Sequence, residues 1–256
     1  MHLLNQRLTN SIVWQYLKFG AAGAVLLLVF CCSTQSYADI VTLDASQDTT
    51  IYSNLVNNNG GGHNFGISGF ANNGNERRFL VEFDLASIAP GSIVNSVSLG
   101  LNVIQATSGG GNFQLFRVDT DWGEGAGVGN QGSGAAAGDA TWNESQFGLA
   151  GWTGGVAGGS FFTPLLDEIT IDSVGVATFN SSSNFVNAVQ DIVDNPSQNF
   201  GFIIVGTDAG SALRFGSIEG GSASSLSVDF TAIPEPGSLG ILGVLGAVVM
   251  LRRRRG

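Results

Sequence analysis

Regular alternation of apolar and polar residues restricts the possible folds of this chain more than any other feature of its sequence. From Ser96 to Val103, valine and leucine alternate with serine, glycine and asparagine. This period of two is typical of a strand with one buried and one solvated face. Similar alternation runs over 78–83 and 225–230, while the continuous apolar run 202–205 predicts a strand covered on both faces. The pattern predicts an all-β, antiparallel sandwich or barrel.

Two segments break the strand pattern. Phe185, Val189 and Ile192 recur at helical spacing, a serine at 182 or 183 can cap the start, and an asparagine–proline pair follows the segment. We predict one short helix there, lying across one end or face of the sandwich. The stretch from Gly123 to Gly138 has seven glycines in 16 residues. It is poor in apolar side chains and predicts a long, flexible surface loop.

The first 38 residues have the pattern of a secretory signal peptide. Arg7 and Lys18 precede an apolar stretch over 19–30, and small residues occupy the positions before a cleavage site after Ala38. We expect an N-terminal signal helix whose removal leaves Asp39 as the first mature residue. Both cysteines of the chain lie within this leader. The mature protein is therefore expected to have no disulfide.

The end of the chain, 233–256, combines three elements in a fixed order. Two prolines hold the backbone extended in the first element, Pro234, Glu235 and Pro236. An apolar run then predicts a hydrophobic helix over about 237–251, which is shorter than the roughly 20 residues of an ordinary membrane-spanning helix. Four basic residues that resist translocation follow, namely Arg252, Arg253, Arg254 and Arg255.

This three-part tail resembles the PEP-CTERM sorting signal of Gram-negative bacteria that produce exopolysaccharide. The resemblance covers Ile233 to Arg255. It implies transient residence in the inner membrane, recognition by an exosortase, cleavage near the motif, and release to the cell surface or the extracellular matrix. The alternative is a short tail anchor that is never cut.

The charge balance of the mature stretch excludes one class of partner. Only four arginines lie between Asp39 and Glu235, together with all 20 acidic residues, so the formal net charge of this stretch is four minus 20, or −16. Such a surface repels nucleic acid, and it repels anionic polysaccharide unless divalent cations intervene. We expect no nucleic-acid partner.

A second resemblance spans most of 39–232. Strand segments at 75–85 and 96–103 are followed by an Asp-Trp-Gly-Glu element at 121–124 and a Thr-Trp-Asn element at 141–143. This order resembles the DNRLRE domain, a bacterial and archaeal extracellular module similar to some carbohydrate-binding modules. The resemblance implies a jelly-roll-like antiparallel β-sandwich and a role in adhesion or glycan binding. The expanded glycine-rich stretch departs from the family pattern.

Few catalytic chemistries remain open to the mature chain. With no cysteine and a single histidine, His63, it cannot assemble a His/Cys zinc site or a Cys–His nucleophile. Two carboxylates at a suitable separation would hydrolyse a glycosidic bond. A polysaccharide-degrading glycosidase or lyase is therefore the alternative to a non-catalytic protein. Its candidate acids flank the glycine-rich stretch: Asp119, Asp121, Glu124, Asp139 and Glu144.

The same oxygen-rich segment is a candidate calcium site. Asp119, Asp121 and Glu124 place three carboxylates within six residues, and carboxylate oxygens are the ligands that Ca²⁺ prefers. The alternative is that these are solvated loop carboxylates, and no cofactor is certain. A second oxygen-rich set that would suit calcium comprises Asp44, Asp48, Asn72 and Asn73.

Three tryptophans are candidate sugar platforms, because a flat indole face packs against the C–H groups of a sugar ring. The competing interpretation is that they fill the core, where tryptophan buries a large area. Trp122 and Trp142 lie in strand-like contexts that favour the core. Trp152 lies between glycine and threonine, and we predict that it is exposed.

Taken together, these features predict an exported protein of the cell surface or matrix that has no catalytic activity and binds or organises exopolysaccharide. The alternatives are the polysaccharide-degrading enzyme and a structural matrix protein with no specific ligand.

The sorting hypothesis predicts the mass of the mature protein. Mass spectrometry of surface and matrix fractions is expected to find a chain that ends near Pro234–Pro236 and lacks the arginine cluster. Changing Pro234 and Pro236 to alanine is expected to block this processing. An intact Arg255 in surface fractions of the unmodified protein would contradict cleavage.

Overall fold

The computed structural model describes residues 38–71, 73–106 and 110–233. The predicted signal helix, the Pro-Glu-Pro motif and the apolar segment at 237–251 lie outside these residues. Among the residues described, no helix has the length and apolar character needed to cross a membrane. Ala38–Ala232 forms a compact unit of its own. It begins one residue before the domain predicted from the sequence.

Within the described residues the protein is all-β with one α-helix, which confirms the predicted class. The elements are β1 Ala38–Tyr52, β2 Asn58–Asn59, β3 Phe65–Phe70, β4 Glu76–Phe83, β5 Ile93–Ala106, β6 Gly111–Arg117, β7 Ser133–Gly134, β8 Glu144–Gln146, β9 Ala150–Gly151, β10 Asp167–Ile171, β11 Gly175–Phe179, α1 Ser183–Asp194, β12 Phe202–Gly206, β13 Leu213–Gly216 and β14 Ser225–Thr231. Short 3-10 turns lie at Thr153–Gly155 and Pro196–Gln198.

Six strands form a closed ring of antiparallel pairings, in the order β4, β3, β13, β5, β14 and β1, with β1 pairing back to β4. The ring closes because two strands change partner along their length. The first part of β1 pairs with β14, and the part after an irregularity between Ala45 and Gln47 pairs with β4. Strand β3 passes from β13 to β4 at Gly69, whose φ of +102° favours glycine. Beyond β4 the sheet continues through β12 and β6 to β10.

The main hydrophobic core is built from the alternating apolar residues that the sequence analysis identified. Phe215 of β13 packs against Phe79 of β4 with ring centroids 5.8 Å apart, and against Phe113 of β6 at 5.9 Å. Val97 and Leu99 of β5 join the same cluster. Burial of such large apolar side chains is the main contribution to the folding free energy of a domain that has no disulfide.

The single helix forms where it was predicted and closes one side of this core. The hydroxyl of Ser182 accepts a hydrogen bond from the backbone N–H of Phe185, which caps the first turn. Phe185 then meets Phe202 of β12 edge to face, with centroids 5.5 Å apart. An ion pair between Asp191 and Arg117 joins the helix to β6.

A second, smaller core lies on the opposite face of β1, β4 and β12. Ile51, Leu80 and Ile203 contribute one side chain each from these strands, and Trp122 and Trp152 cover them. The predicted two-sided burial of β12 is therefore confirmed. The alternation over 78–83 places Leu80 on the same face of β4 as Arg78 and Glu82, which predicts a solvated side chain. That prediction was wrong, because the chain between β6 and β10 covers this face and buries Leu80.

We expect the main core to dominate stability. Phe215 is completely buried, so Phe215→Ala is expected to lower the free energy of unfolding by about 3–5 kcal/mol. The control is Val176→Ala on β11, where the side chain is 76% exposed and the change is expected to stay within about 0.5 kcal/mol. Urea unfolding of residues 38–232, followed by circular dichroism, measures both. Equal losses in the two variants would contradict this assignment of the core.

Candidate functional site

The buried amide of Asn59 is a central contact between the glycine-rich loop, Gly123–Gly138, and the sheet, beside the backbone pairing of β2 with β7. The side-chain Nδ2 of Asn59 donates to the backbone carbonyl oxygens of Glu124 and Ala140, both at 2.8 Å. Its Oδ1 accepts from the backbone N–H of Gly127 at 3.3 Å. Asn59 is fully buried, so loss of these bonds would leave unpaired polar groups away from water.

Several glycines of this loop are required by close backbone approach rather than by flexibility. A Cβ at Gly127 would lie 1.9 Å from the backbone oxygen of Asn59, and one at Gly132 would lie 2.1 Å from the same atom. A Cβ at Gly125 would lie 2.3 Å from the Asn59 side-chain oxygen. The prediction of an irregular loop is confirmed for most of this stretch, but the expectation of flexibility missed its packing.

An open groove of about 350 Å³ lies beside this loop. Strands β3, β4 and β13 supply part of its lining, and the loop supplies another part. Its polar and aromatic lining residues include Phe70, Arg77, Asn130, Gln131 and Arg214. The groove thus combines planar amides, guanidinium groups and an aromatic ring on a scaffold of paired strands. Sequence analysis did not identify this set, because its members come from segments far apart in the chain.

Both arginines of the groove are held by aromatic neighbours. The guanidinium carbon of Arg214 lies 4.2 Å from the ring centroid of Phe65, and its Nη2 donates to the side-chain oxygen of Asn130 at 2.9 Å. The guanidinium carbon of Arg77 lies 6.0 Å from the ring centroid of Tyr52. Such cation–π contacts orient a guanidinium without neutralising its charge.

Arg77 is the more constrained of the two. Its Nε is buried and has no hydrogen-bond partner among the described residues. Burial lowers the pKa of Arg77, and the positive charge of Arg214 lowers it further, while Tyr52 acts in the opposite direction. Burial also raises the pKa of Tyr52 to about 12. The two guanidinium groups are therefore close enough to repel each other.

The remaining two arginines of the described chain have carboxylate partners. Arg78 donates from Nε to the carboxylate of Glu76 at 2.6 Å, and Arg117 pairs with Asp191. Within the described ranges, Arg77 and Arg214 form no ion pair with a carboxylate. The uncompensated positive charge of this acidic domain is thus concentrated in one groove.

The predicted exposure of Trp152 was wrong. Trp152 and Trp122 are both 2% exposed, and their indole N–H groups donate to the carbonyl oxygens of Thr141 and Phe200 at 3.0 and 2.9 Å. Trp152 is buried because its side chain packs into the second core, over strands β1, β4 and β12. Trp142 is half-buried and shares its face with a guanidinium, since the Cζ of Arg78 lies 5.1 Å from its ring.

The three carboxylates proposed for calcium point to different partners. Asp119 accepts from the hydroxyl of Ser160, Asp121 accepts from the side chain of Gln146 at 3.0 Å, and Glu124 accepts from a backbone N–H of β1 at 2.9 Å. In the part of the chain that the structure describes, no group of three or more His, Cys, Asp or Glu side chains is arranged to hold a metal ion. Calcium binding stays a prediction.

The members of the second oxygen-rich set, Asp44, Asp48, Asn72 and Asn73, do not share one environment. Asn72 lies outside the described residues, Asn73 is exposed in a turn, and Asp44 is exposed on β1. Asp48 is instead buried, and its Oδ2 accepts from the backbone N–H of Ile218 at 2.9 Å. These side chains therefore occupy different environments.

Burial raises the pKa of Asp48 to about 7. The hydrogen bond from Ile218 opposes this rise, and the negative charges of Glu219 and Glu124 add to it. The pKa of Glu124 is raised as well, mainly by burial. Asp48 and Glu124 belong to different candidate calcium sets in the sequence, and only the packing of β1 against the glycine-rich loop brings them together.

The candidate acids of the alternative, a degrading enzyme, accept hydrogen bonds from separate partners. Asp139 and Glu144 accept from backbone N–H groups within their own turns, at 2.9 and 3.2 Å. Glu124 is instead linked to Asp48, whose backbone N–H donates to its carboxylate. Because Asp48 is 2% exposed, a substrate does not reach it in this conformation.

No family model matches this chain, and no curated protein matches it. The PEP-CTERM and DNRLRE resemblances therefore stay predictions. The groove and its charges are the observations on which a function can be proposed.

The buried carboxyl of Asp48 predicts a pH dependence of stability. The folded state holds this proton up to about pH 7, whereas an unfolded chain releases it near 3.8. The free energy of unfolding is therefore expected to fall as the pH rises from about 4 to about 7, by up to a few kcal/mol. Asp48→Asn is expected to remove most of this loss and to stabilise the domain at pH 8.

Thermal unfolding of residues 38–232 between pH 5 and pH 8 measures the effect. The matched control is Asp44→Asn, an exposed carboxylate of the same strand, which is expected to keep the unmodified pH profile. Because burial also raises the pKa of Glu82 and Glu124, a smaller dependence of the same sign is expected to remain in Asp48→Asn. An unchanged profile in Asp48→Asn would contradict the assignment.

Proposed function

We propose that this chain is an exported, non-catalytic protein that binds exopolysaccharide at the cell surface or in the extracellular matrix. The observation that carries the proposal is the groove beside the glycine-rich loop. It offers side-chain amides and guanidinium groups as hydrogen-bond donors, with the ring of Phe70 beside them. A few placed polar groups next to an apolar surface are typical of ligand sites.

The walls of this groove are preorganised. Strands β3, β4 and β13 are held in a continuous set of pairings, and Asn59 fixes the glycine-rich loop that carries Asn130 and Gln131. A rigid wall lowers the entropic cost of binding a flexible polymer. A groove that is open to solvent also admits part of a longer chain.

The architecture we propose is a jelly-roll-like sandwich made by flattening the six-strand ring. Partner changes along β1 and β3 support it, because strands that pass between two sheets produce such corners. The main core between the two sets of strands supports it as well. Extracellular binding modules commonly use this architecture, although fold alone does not assign function.

Export and sorting complete the proposal. The signal peptide pattern directs the chain across the inner membrane, and the Pro-Glu-Pro tail supports processing by an exosortase. The absence of cysteine between Asp39 and Ala232 and the acidic composition of that stretch suit a domain outside the cell whose stability comes from its core.

The absence of catalysis is part of the proposal. A glycosidase needs two carboxyl groups that reach the scissile bond. Burial raises the pKa of Asp48, Glu82 and Glu124. Glu82 accepts from the side chain of Gln47, whereas Asp48 and Glu124 form a pair that is engaged with the backbone, and Asp48 is buried. This placement favours a structural role for the pair, in which it links β1 to the glycine-rich loop and to the turn after β13.

Polysaccharide binding can be tested with residues 38–232, which form a compact unit. We expect isothermal titration with a set of extracellular polysaccharides to find at least one ligand. Gln131→Ala, which removes an exposed amide from the groove, is expected to weaken binding by about tenfold. The matched control is Gln198→Ala, an exposed glutamine in the 3-10 turn after α1, for which unchanged affinity is expected.

Two outcomes would overturn the proposal. Release of reducing ends or unsaturated sugars by the purified domain, lost in Asp48→Asn or Glu124→Gln, would establish the degrading enzyme instead. Absence of binding to every polymer tested would favour a structural matrix protein with no specific ligand.

A further inference from the structure

The distribution of arginines sets this groove apart from the rest of the surface. The stretch from Asp39 to Glu235 contains 20 acidic residues and only four arginines. Two of these arginines have carboxylate partners, and the other two, Arg77 and Arg214, line the same groove. In a domain with so few cations, this arrangement leaves two positive charges together and uncompensated.

Their positions are fixed by the sheet. Arg77 lies on β4 opposite Gly69, and Arg214 lies on β13 opposite Ile67. Both strands therefore flank β3, at points two residues apart along it. Pairing with β3 fixes the backbone of both arginines, and cation–π contacts with the rings of Tyr52 and Phe65 orient their guanidinium groups.

The guanidinium groups keep donors available for a ligand. An arginine carries five N–H donors in a planar fork that matches the oxygens of a carboxylate or a sulfate. The Nη2 of Arg214 donates to Asn130. The Nε of Arg77 is buried, so a ligand in the groove would contact the Nη groups of this arginine, and a hydrogen bond from a guanidinium to a charged oxygen is stronger than one to a neutral oxygen.

Electrostatics favour an anion at the same place. Arg214 lowers the pKa of Arg77, which means that the two charges repel each other. A negative group placed between them would replace this repulsion with two attractive contacts. The partial desolvation of Arg77 strengthens such a contact relative to one in open water.

We propose that Arg77 and Arg214 together bind an oxyanion substituent, either a carboxylate or a sulfate ester, carried by the polysaccharide. This inference rests on the proposed function and specifies its ligand class as an acidic polysaccharide. Asn130 and Gln131 line the same groove and bind neighbouring hydroxyl groups of the chain. The acidic remainder of the domain repels such a polymer, so binding is confined to this one groove and needs no bridging cation.

The test compares acidic and neutral ligands on residues 38–232. Isothermal titration in low salt, with and without EDTA, uses an oligoglucuronate, a sulfated glucose oligomer and a neutral glucose oligomer of the same length. At least one acidic oligomer is expected to bind at least about tenfold more tightly than the neutral one. Its affinity is expected to fall with added salt, since exposed charge pairs are screened. The two acidic ligands distinguish carboxylate from sulfate.

Variants assign the binding to the two arginines. Arg77→Gln and Arg214→Gln are each expected to weaken the acidic ligand by about tenfold or more, and to weaken the neutral ligand by a smaller factor, because only the acidic ligand loses a charged contact. Arg77→Lys keeps the charge but loses the planar fork, and an intermediate affinity is expected. The control is Arg78→Gln, the adjacent residue of β4, which pairs with Glu76 and faces the second core. Thermal unfolding of each variant verifies that the domain is folded.

The outcomes separate this inference from the function on which it rests. Tight binding of the neutral oligomer, unchanged in the arginine variants, would overturn the anion site while the polysaccharide function stands. Acidic binding that EDTA abolishes and the arginine variants retain would assign recognition to a bridging cation and would also overturn it.

A further titration tests whether the anion site exists without polysaccharide binding. If no oligomer binds, but free glucuronate or inorganic sulfate raises the unfolding temperature only when Arg77 and Arg214 are both present, the anion site stands and the polysaccharide function fails. Equal stabilisation of the unmodified protein and the arginine variants by these small anions would show an adventitious ion only and would overturn the inference.

Discussion

Two-sided burial of the central strands is the constraint on which the rest of this structure depends. Strands β4 and β12 place Phe79 and Phe202 in the main core and Leu80 and Ile203 in the second one. A strand that is apolar on both faces has to be covered twice. Strands β5, β13 and β14 together with α1 cover one face, and the long chain between β6 and β10 covers the other.

That second cover has few apolar side chains, so its position depends on polar contacts. Two indoles fill the space over the sheet, and the amide of Asn59 holds the glycine-rich loop through its backbone. Glycine is needed at several loop positions because the two backbones approach within the distance that a Cβ would occupy. The same docking presents Asn130 and Gln131 at the groove, which links the stability of the second core to the proposed binding surface.

Acidic and basic side chains are distributed differently over this domain. Acidic side chains are spread over the surface, whereas each of the four arginines makes a specific contact. Arg117 joins α1 to β6 through an ion pair, and Arg78 lies over an indole. Arg77 and Arg214 line the groove. The interior contains one acid of note, Asp48, which is tolerated because its carboxyl accepts a backbone N–H and its pKa is raised.

The sequence predicted the regular elements well where their periodicity is strong. The alternation at 96–103 became part of β5, the apolar run at 202–205 became β12, and the helical spacing of Phe185, Val189 and Ile192 became α1 with its serine cap. Predictions that depended on which residues pack against a side chain were weaker. Trp152 looked exposed among glycines and is buried, and the adjacent acids of 119–124 turned to separate partners.

By itself the sequence determined the all-β class, the helix at Ser183–Asp194 and the acidic charge, because periodicity, capping and composition are local properties. Tertiary structure alone decided the closed ring of strands, the burial of Trp152 and Asp48, and the meeting of Arg77 with Arg214. Each depends on contacts between separate segments of the chain, as when Arg77 of β4 and Arg214 of β13 line one groove from either side of β3. No local pattern encodes such contacts, since they arise only when the strands pair and the loop docks over them.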